Sequence, residues 1–319
     1  MQTAFVDFPA APWAVLPDRL PFIRAALNGS FARRRQTAMQ ASSPVAASAA
    51  RRRAANGTIA VLPFIGLAVQ RADAHGEATG LLSLSHFTQA FRAALADDTI
   101  GGIVIDVDSP GGSIYGVMEL ADEIYRSRAR KPIAAVANSL AAGGAFWVAS
   151  AAREFYVTPG GEVGGIGVYD IHSGFAKGLA KAGIETTLIS AGRYKIEGNP
   201  FQPLSTSGRS AMQARVDGYY RAFVTAVAKH RNVPESAVCN GMGQGRLLDA
   251  ERVKRENMAD GIATFEEVLD KINARSNYSG ATPSGHARVL AARFRRADVL
   301  PDRGVPTYIL ALEAELLSL

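Results

Sequence analysis

Three glycine-rich loops hold the residue types and spacings that could do chemistry in this 319-residue chain. The first, Asp108-Ser109-Pro110-Gly111-Gly112-Ser113, follows an apolar, β-branched run. Gly111 and Gly112 leave their backbone N–H groups unshielded by Cβ atoms, so the pair can face a developing negative charge as an oxyanion hole. The same pair also suits a plain tight turn. The second loop, Asn138-Ser139-Leu140-Ala141-Ala142-Gly143-Gly144-Ala145-Phe146-Trp147, reads as a strand-to-helix turn of small residues. That is where α/β enzymes set a nucleophile, because a helix N-terminus stabilises charge beside it. The nearest hydroxyls, Ser139 and Ser150, suit capping or packing better than attack. The third, Ala191-Gly192-Arg193-Tyr194-Lys195-Ile196-Glu197-Gly198-Asn199-Pro200-Phe201, carries Lys195. A lysine amine titrates near about 10.4 in water, too high for a base at neutral pH. Burial or a neighbouring cation such as Arg193 would lower it and make it useful, whereas a plain surface lysine needs neither.

Other nucleophile systems find less support. His75, His86, His172, His230 and His286 show no HxxxH or HxH spacing, so no zinc site is expected. There is no GxSxG elbow and no Walker lysine motif, and none of the histidines lies in a glycine-rich loop. The single cysteine, Cys239, excludes an internal disulfide framework.

Positioning such loops requires a substantial core. With 48% hydrophobic and 20% charged residues, the composition suits one large α/β domain with appendages, or two small domains. No apolar run approaches the roughly 20 residues that span a bilayer. The opening MQTAFVDFPAAPWAVLPDRL lacks a basic start, carries Asp7 and is broken by Pro9, Pro12 and Pro17, unlike a signal peptide. A cytoplasmic, soluble chain is the expectation. The net charge of +6 is unevenly placed, since residues 21–72 hold eight arginines and no acid, including Arg33–Arg35 and Arg51–Arg53. Such an arm could contact nucleic acid or an acidic protein surface. Without interleaved aromatic residues for base stacking, a solvated extension is expected instead.

Three zones follow: a Pro-, Ala- and Arg-rich leader (1–56), an alternating middle (57–275), and a linker with a helix-capable tail (276–319). In the middle zone TIAVLPFIG (58–66), GIVIDV (102–107), IAAVA (133–137), EFYV (154–157), IGVYD (166–170) and ETTLIS (185–190) read as strands. Phe87, Phe91 and Leu95 mark one face of a helix, and Val117, Leu120 and Ile124 another. A long helix is expected from about Ser207 to His230, burying Met212, Val216, Tyr219, Phe223 and Val227. The alternation predicts βαβ crossovers and a mostly parallel sheet, with chemistry where strands end.

Taken in order, GGIVIDVDSPGGS, ANSLAAGGAFWVASAA, TPGGEVGGIGVY and GRYKIEGNPFQPLS resemble the signal peptide peptidase A family of serine peptidases, in particular its soluble phage head-maturation (capsid-assembly) branch. GQGRLLDAERVKRENMADGIATFEEVL resembles that family's closing segment, and PWAVLPDRL its phage-type N-terminal stretch. The resemblance covers about 57–275. It implies a ClpP/crotonase-like fold, a Ser–Lys dyad without histidine, and neither cofactor nor metal. It also implies a polypeptide substrate, a scaffold or capsid segment bound by strand addition, and a homo-oligomer. Carried over by position, Lys195 matches the general base, and Gly111 and Gly112 match the oxyanion turn. The family's serine falls on Gly143, and a further serine on Gly165, so hydrolysis by this chain is expected to be very slow. Two other readings stay open: a non-catalytic assembly protein on the same fold, and a crotonase-type acyl-CoA enzyme with Glu162 as the only carboxylate obviously placed in a glycine loop.

Overall fold

The Val-, Ile- and Ala-rich runs can lose both faces to water only as central strands of a covered parallel sheet. The computed structural model, which describes residues 12–19, 50–54, 57–72, 76–77, 80–276 and 288–290, places them there. Strands β3 (Gly57–Ile65), β6 (Ile100–Ser109), β8 (Ile133–Ala142) and β9 (Glu154–Val157) pair in that order, all parallel. Strand β8 is long enough to serve two neighbours on one edge. Its first half pairs with β9, and its last three residues pair in parallel with β10 (Glu162–Gly164). Antiparallel strands extend both ends: β2 (Ala50–Ala54) beside β3, and β11 (Leu247–Asp249) beside β10. The expected mostly parallel α/β architecture is therefore the one observed.

Helices α1 (Leu84–Ala96), α2 (Val117–Ser127), α3 (Gly144–Ser150) and α5 (Thr206–Arg231) cover one face, contributing Phe91, Ile124, Trp147 and Phe223 to the main core. Helix α8 (Phe265–Ser276) covers the other through Val268, Leu269 and Ile272. The expected stripes of α1 and α2 are buried as their spacing requires. A second, four-stranded sheet runs β1 (Trp13–Val15), β7 (Gly111–Ser113), β4 (Leu67–Val69), β5 (Leu81–Ser83). Among the described residues no helix is long and apolar enough to cross a membrane.

Two expected strands do not form. IGVYD is reduced to a single bridge from Tyr169, because the positive φ of Gly164 and Gly165 ends the ladder just before it. ETTLIS has β-branched residues but pairs with no strand among the described residues, and Ile189 is 96% exposed. This stretch belongs to an arm, residues 170–205, that leans on the first half of α5. Met212, Val216 and Tyr219 are consequently only half-buried, while Phe223 and Val227 reach the core. The Arg33–Arg35 cluster and the helix-capable C-terminal tail lie largely outside the described residues.

Ser150 proves to be a packing residue. Its hydroxyl donates to Trp147 O at 2.8 Å and lies 3.0 Å from His230 Nδ1, both groups being buried. Burial, then Arg128, Lys229 and Arg231, hold the His230 imidazole down at about 3, against 6.5 ordinarily. The unfolded chain therefore takes up this proton first as the pH falls. The neutral imidazole's contribution is complete above about pH 6.5 and is lost towards pH 3, by up to about 1.4 kcal/mol per pH unit. Urea midpoints should fall between pH 7.5 and 5 in the parent chain and fall less in His230→Asn.

Candidate active site

Helix α3 starts abruptly from the end of β8, and the one residue between them makes the turn. That residue, Gly143, has φ 53° and ψ −122°, a conformation costly to any residue with a Cβ. Its N–H donates to Gly164 O at 2.9 Å, and its own carbonyl accepts from Trp147 N at 3.0 Å. This sharp strand-to-helix geometry is what a nucleophile elbow requires. Here the residue has no side chain to present.

Across from it lies the Gly111–Gly112 turn. Gly111 has φ 96°, and a Cβ there would overlap the Ala14 carbonyl oxygen and come 2.8 Å from Ala142 O and 3.1 Å from Gly144 N. A Cβ on Gly112 would overlap the Ala68 carbonyl of β4, with which β7 pairs. Both glycines are therefore demanded by the close approach of neighbouring backbone. Ser109 fixes the turn: its hydroxyl donates to Gly66 O at 2.6 Å and accepts the Gly111 N–H at 3.2 Å. The Gly111 N–H is thus committed, and the two expected oxyanion donors are not equivalent.

The group facing this turn is the carbonyl of Ala14. Strand β1 runs antiparallel to β7 with Ala14 opposite Gly112. Leu16 N donates to Pro110 O and Ile114 N to Pro12 O, each at 3.2 Å. Between those bonds the ladder's alternation makes Ala14 and Gly112 the intervening hydrogen-bonded pair. The other edge of the strand is also held: Trp13 N donates to Tyr169 O at 2.8 Å, and Tyr169 N to Trp13 O at 3.0 Å. A Cβ on Gly143 would overlap the Ala14 oxygen and stand 2.6 Å from its carbonyl carbon.

The structure thus brings Gly111, Gly112 and Gly143 around one spot, with Gly144 N beside them. The sequence assigns Gly144 no role beyond the turn, although an amide directly after a nucleophile turn is the usual second donor. Lys195 stands in the exposed turn 191–198, its N–H bonded to Gly192 O at 3.1 Å. Among the described residues no hydrogen bond or ion pair joins its ammonium to the glycine cluster. The arm that carries it is ordered by its own contacts. Phe175 N donates to Pro200 O at 2.7 Å, Ser207 Oγ donates to Glu197 at 2.7 Å, and Arg215 pairs with Asp170. Ser139 is exposed on β8, and Glu162 is an exposed residue of β10 beside Leu140 rather than a member of the cluster. Burial holds the Asp106 carboxyl above the usual range, opposed by a hydrogen bond from Asn138.

Residues 126–279 match the model of peptidase family S49. The chain is 38% identical over 232 residues to the head-tail preconnector protein GP5 of Enterobacteria phage P21, covering 72% of this chain and 46% of that protein. It is 31% identical over 249 residues to the capsid assembly protease C of Escherichia phage lambda, covering 76% of this chain and 56% of that protein. The chain thus spans about half the length of these curated relatives. A solved mutant of the 1510-N membrane-bound stomatin-specific protease, in complex with a substrate peptide, aligns with a TM-score of 0.43 at 15% identity, over 83% of this chain and 100% of that one. By the matched segment and these relatives, the chain belongs to peptidase family S49.

Proposed function

We propose that the chain is a serine endopeptidase-type protein of the capsid-maturation kind, built to receive an extended segment of a scaffold or capsid protein. The observation that carries this reading is a strand carbonyl, Ala14 C=O, held against the Gly143 turn by the β7 ladder on one edge of its strand and the Trp13–Tyr169 bridge on the other. With a hydroxyl at position 143, the Lys195 amine would take its proton and the alkoxide would attack such a carbonyl. The N–H groups of Gly112 and Gly144 would receive the oxyanion. The C–N bond then breaks, the lysine returns its proton to the leaving amine, and water hydrolyses the ester. With glycine at 143 the chain binds such segments and cuts them very slowly, which also supports a second reading as a segment-binding assembly protein. The Gly143→Ser variant separates the two. Cleavage gained there, and lost again with Lys195→Ala, establishes the peptidase; no gain favours the assembly role.

The arm bearing Lys195 exposes Ile184, Ile189, Tyr194 and Phe201, with Ile189 at 96%. Apolar side chains this exposed on one ordered arm suit burial against a second copy of the chain, which would bring the lysine towards a turn. Sedimentation velocity should show a homo-oligomer for the parent chain and a smaller species for Ile189→Asp.

A further inference from the structure

The strand Pro12–Leu16 is bound as a ligand would be. Its backbone is bonded on one edge to β7 and on the other to Tyr169, so a ladder and a bridge hold it from both sides. Its side chains alternate between two environments, as a strand requires. Trp13 and Val15 enter an apolar pocket with Leu67 and Leu81, walled by Tyr169, whose hydroxyl burial and Asp18 push up to about 12. Ala14 points the opposite way into the main core and is 0% exposed. A longer side chain at that place would meet packed core on arrival. The peptide bond presented to the Gly143 turn is Ala14–Val15. A Cβ at 143 would lie 2.6 Å from Ala14 C and 3.1 Å from Val15 N.

We propose that Pro12–Leu16 is a resident substrate-like strand that fills the polypeptide groove, with Ala14–Val15 the bond addressed. The groove then selects segments of the pattern bulky apolar, small, β-branched, and admits another segment only when this one leaves. The inference rests on the reading of the groove as a polypeptide site, but not on catalysis being restored.

The test uses the full chain and a fluorescein-labelled peptide with the sequence of residues 11–18. A strand seated about 90% of the time weakens an added ligand about tenfold. Trp13→Ser and Val15→Asp, which release the resident strand, should each bind the peptide at least about tenfold more tightly than the parent. The same peptide carrying Ala14→Leu should bind them at least about tenfold more weakly. Folded variants that bind no better than the parent, or that accept the Ala14→Leu peptide equally, overturn the proposal. Should both variants fail to fold, Trp147→Phe leaves Trp13 as the sole indole. Buried-type emission that reddens when a Trp13→Phe form of the peptide is added supports the seat; solvated emission in the absence of peptide overturns it. In Gly143→Ser, cutting of added polypeptides with Ala14–Val15 left intact retires this inference alone, while a seated strand with no cleavage anywhere retires the peptidase reading alone.

Discussion

Gly143→Ser should convert a chain with negligible hydrolysis into one that cleaves polypeptide, with a gain of up to about 10⁶ in kcat, the factor a serine hydrolase loses with its nucleophile. The residual catalysis before substitution, about 10³–10⁴ over water, would come from binding and the oxyanion donors alone. The same substitution should destabilise the fold. A serine at φ 53°, ψ −122° costs about 1–3 kcal/mol, and its Cβ would overlap the Ala14 oxygen unless the strand lifts. Activity and stability are therefore expected to move in opposite directions. Gly143→Ala isolates the second effect: it should lose as much stability in urea titration and gain no cleavage. Adding Lys195→Ala to Gly143→Ser should keep the stability loss and remove the activity. Mass spectrometry of the incubated protein and of an added scaffold-like polypeptide reads the cleavage. If Gly143→Ser folds, assembles like the parent and cuts nothing, position 143 is not the nucleophile seat.

What could be read without coordinates follows from how local the signal is. The runs around Val104, Val136 and Phe155 are continuous and apolar, and they are buried strands because only a two-sided sheet can use such runs. Phe87, Phe91 and Leu95 declare their helix face by spacing alone. The ETTLIS stretch has equal β-propensity, yet a strand needs an edge, and pairing partners are not written in the six residues themselves. Likewise Gly111 and Gly112 are recognisable as a turn, but the commitment of one N–H to Ser109 depends on the Gly66 carbonyl 43 residues earlier in the chain. The largest gap concerned Pro12–Leu16. Pro12 and the absence of charge read as leader, whereas the burial of these five residues is created by β7 and Tyr169, about 100 and 155 residues further on. Gly144 carries no sequence signal of its own, because a glycine offers no side chain and its N–H matters only once the turn at 143 is in place.

Trp147→Ala should be the most damaging single truncation near the site. Trp147 is 1% exposed and stacks on Phe223 of α5, with ring centroids 4.5 Å apart and planes 10° apart. All seven residues of α3 are buried, so the helix has no exposed face on which to slide. Removing an indole from such a place costs about 3–5 kcal/mol through lost burial and an unfilled cavity. Against the 5–15 kcal/mol that holds an ordinary domain together, that is a large share. The effect should also reach the turn. Trp147 N holds Gly143 O, so a loosened first turn of α3 releases the carbonyl that fixes the φ and ψ of Gly143. Trp147→Phe keeps a ring against Phe223 and should lose less. A urea midpoint for Trp147→Ala within about 1 kcal/mol of the parent would mean that α3 is not anchored through this stack, and hence that its rigidity is not what sets the turn.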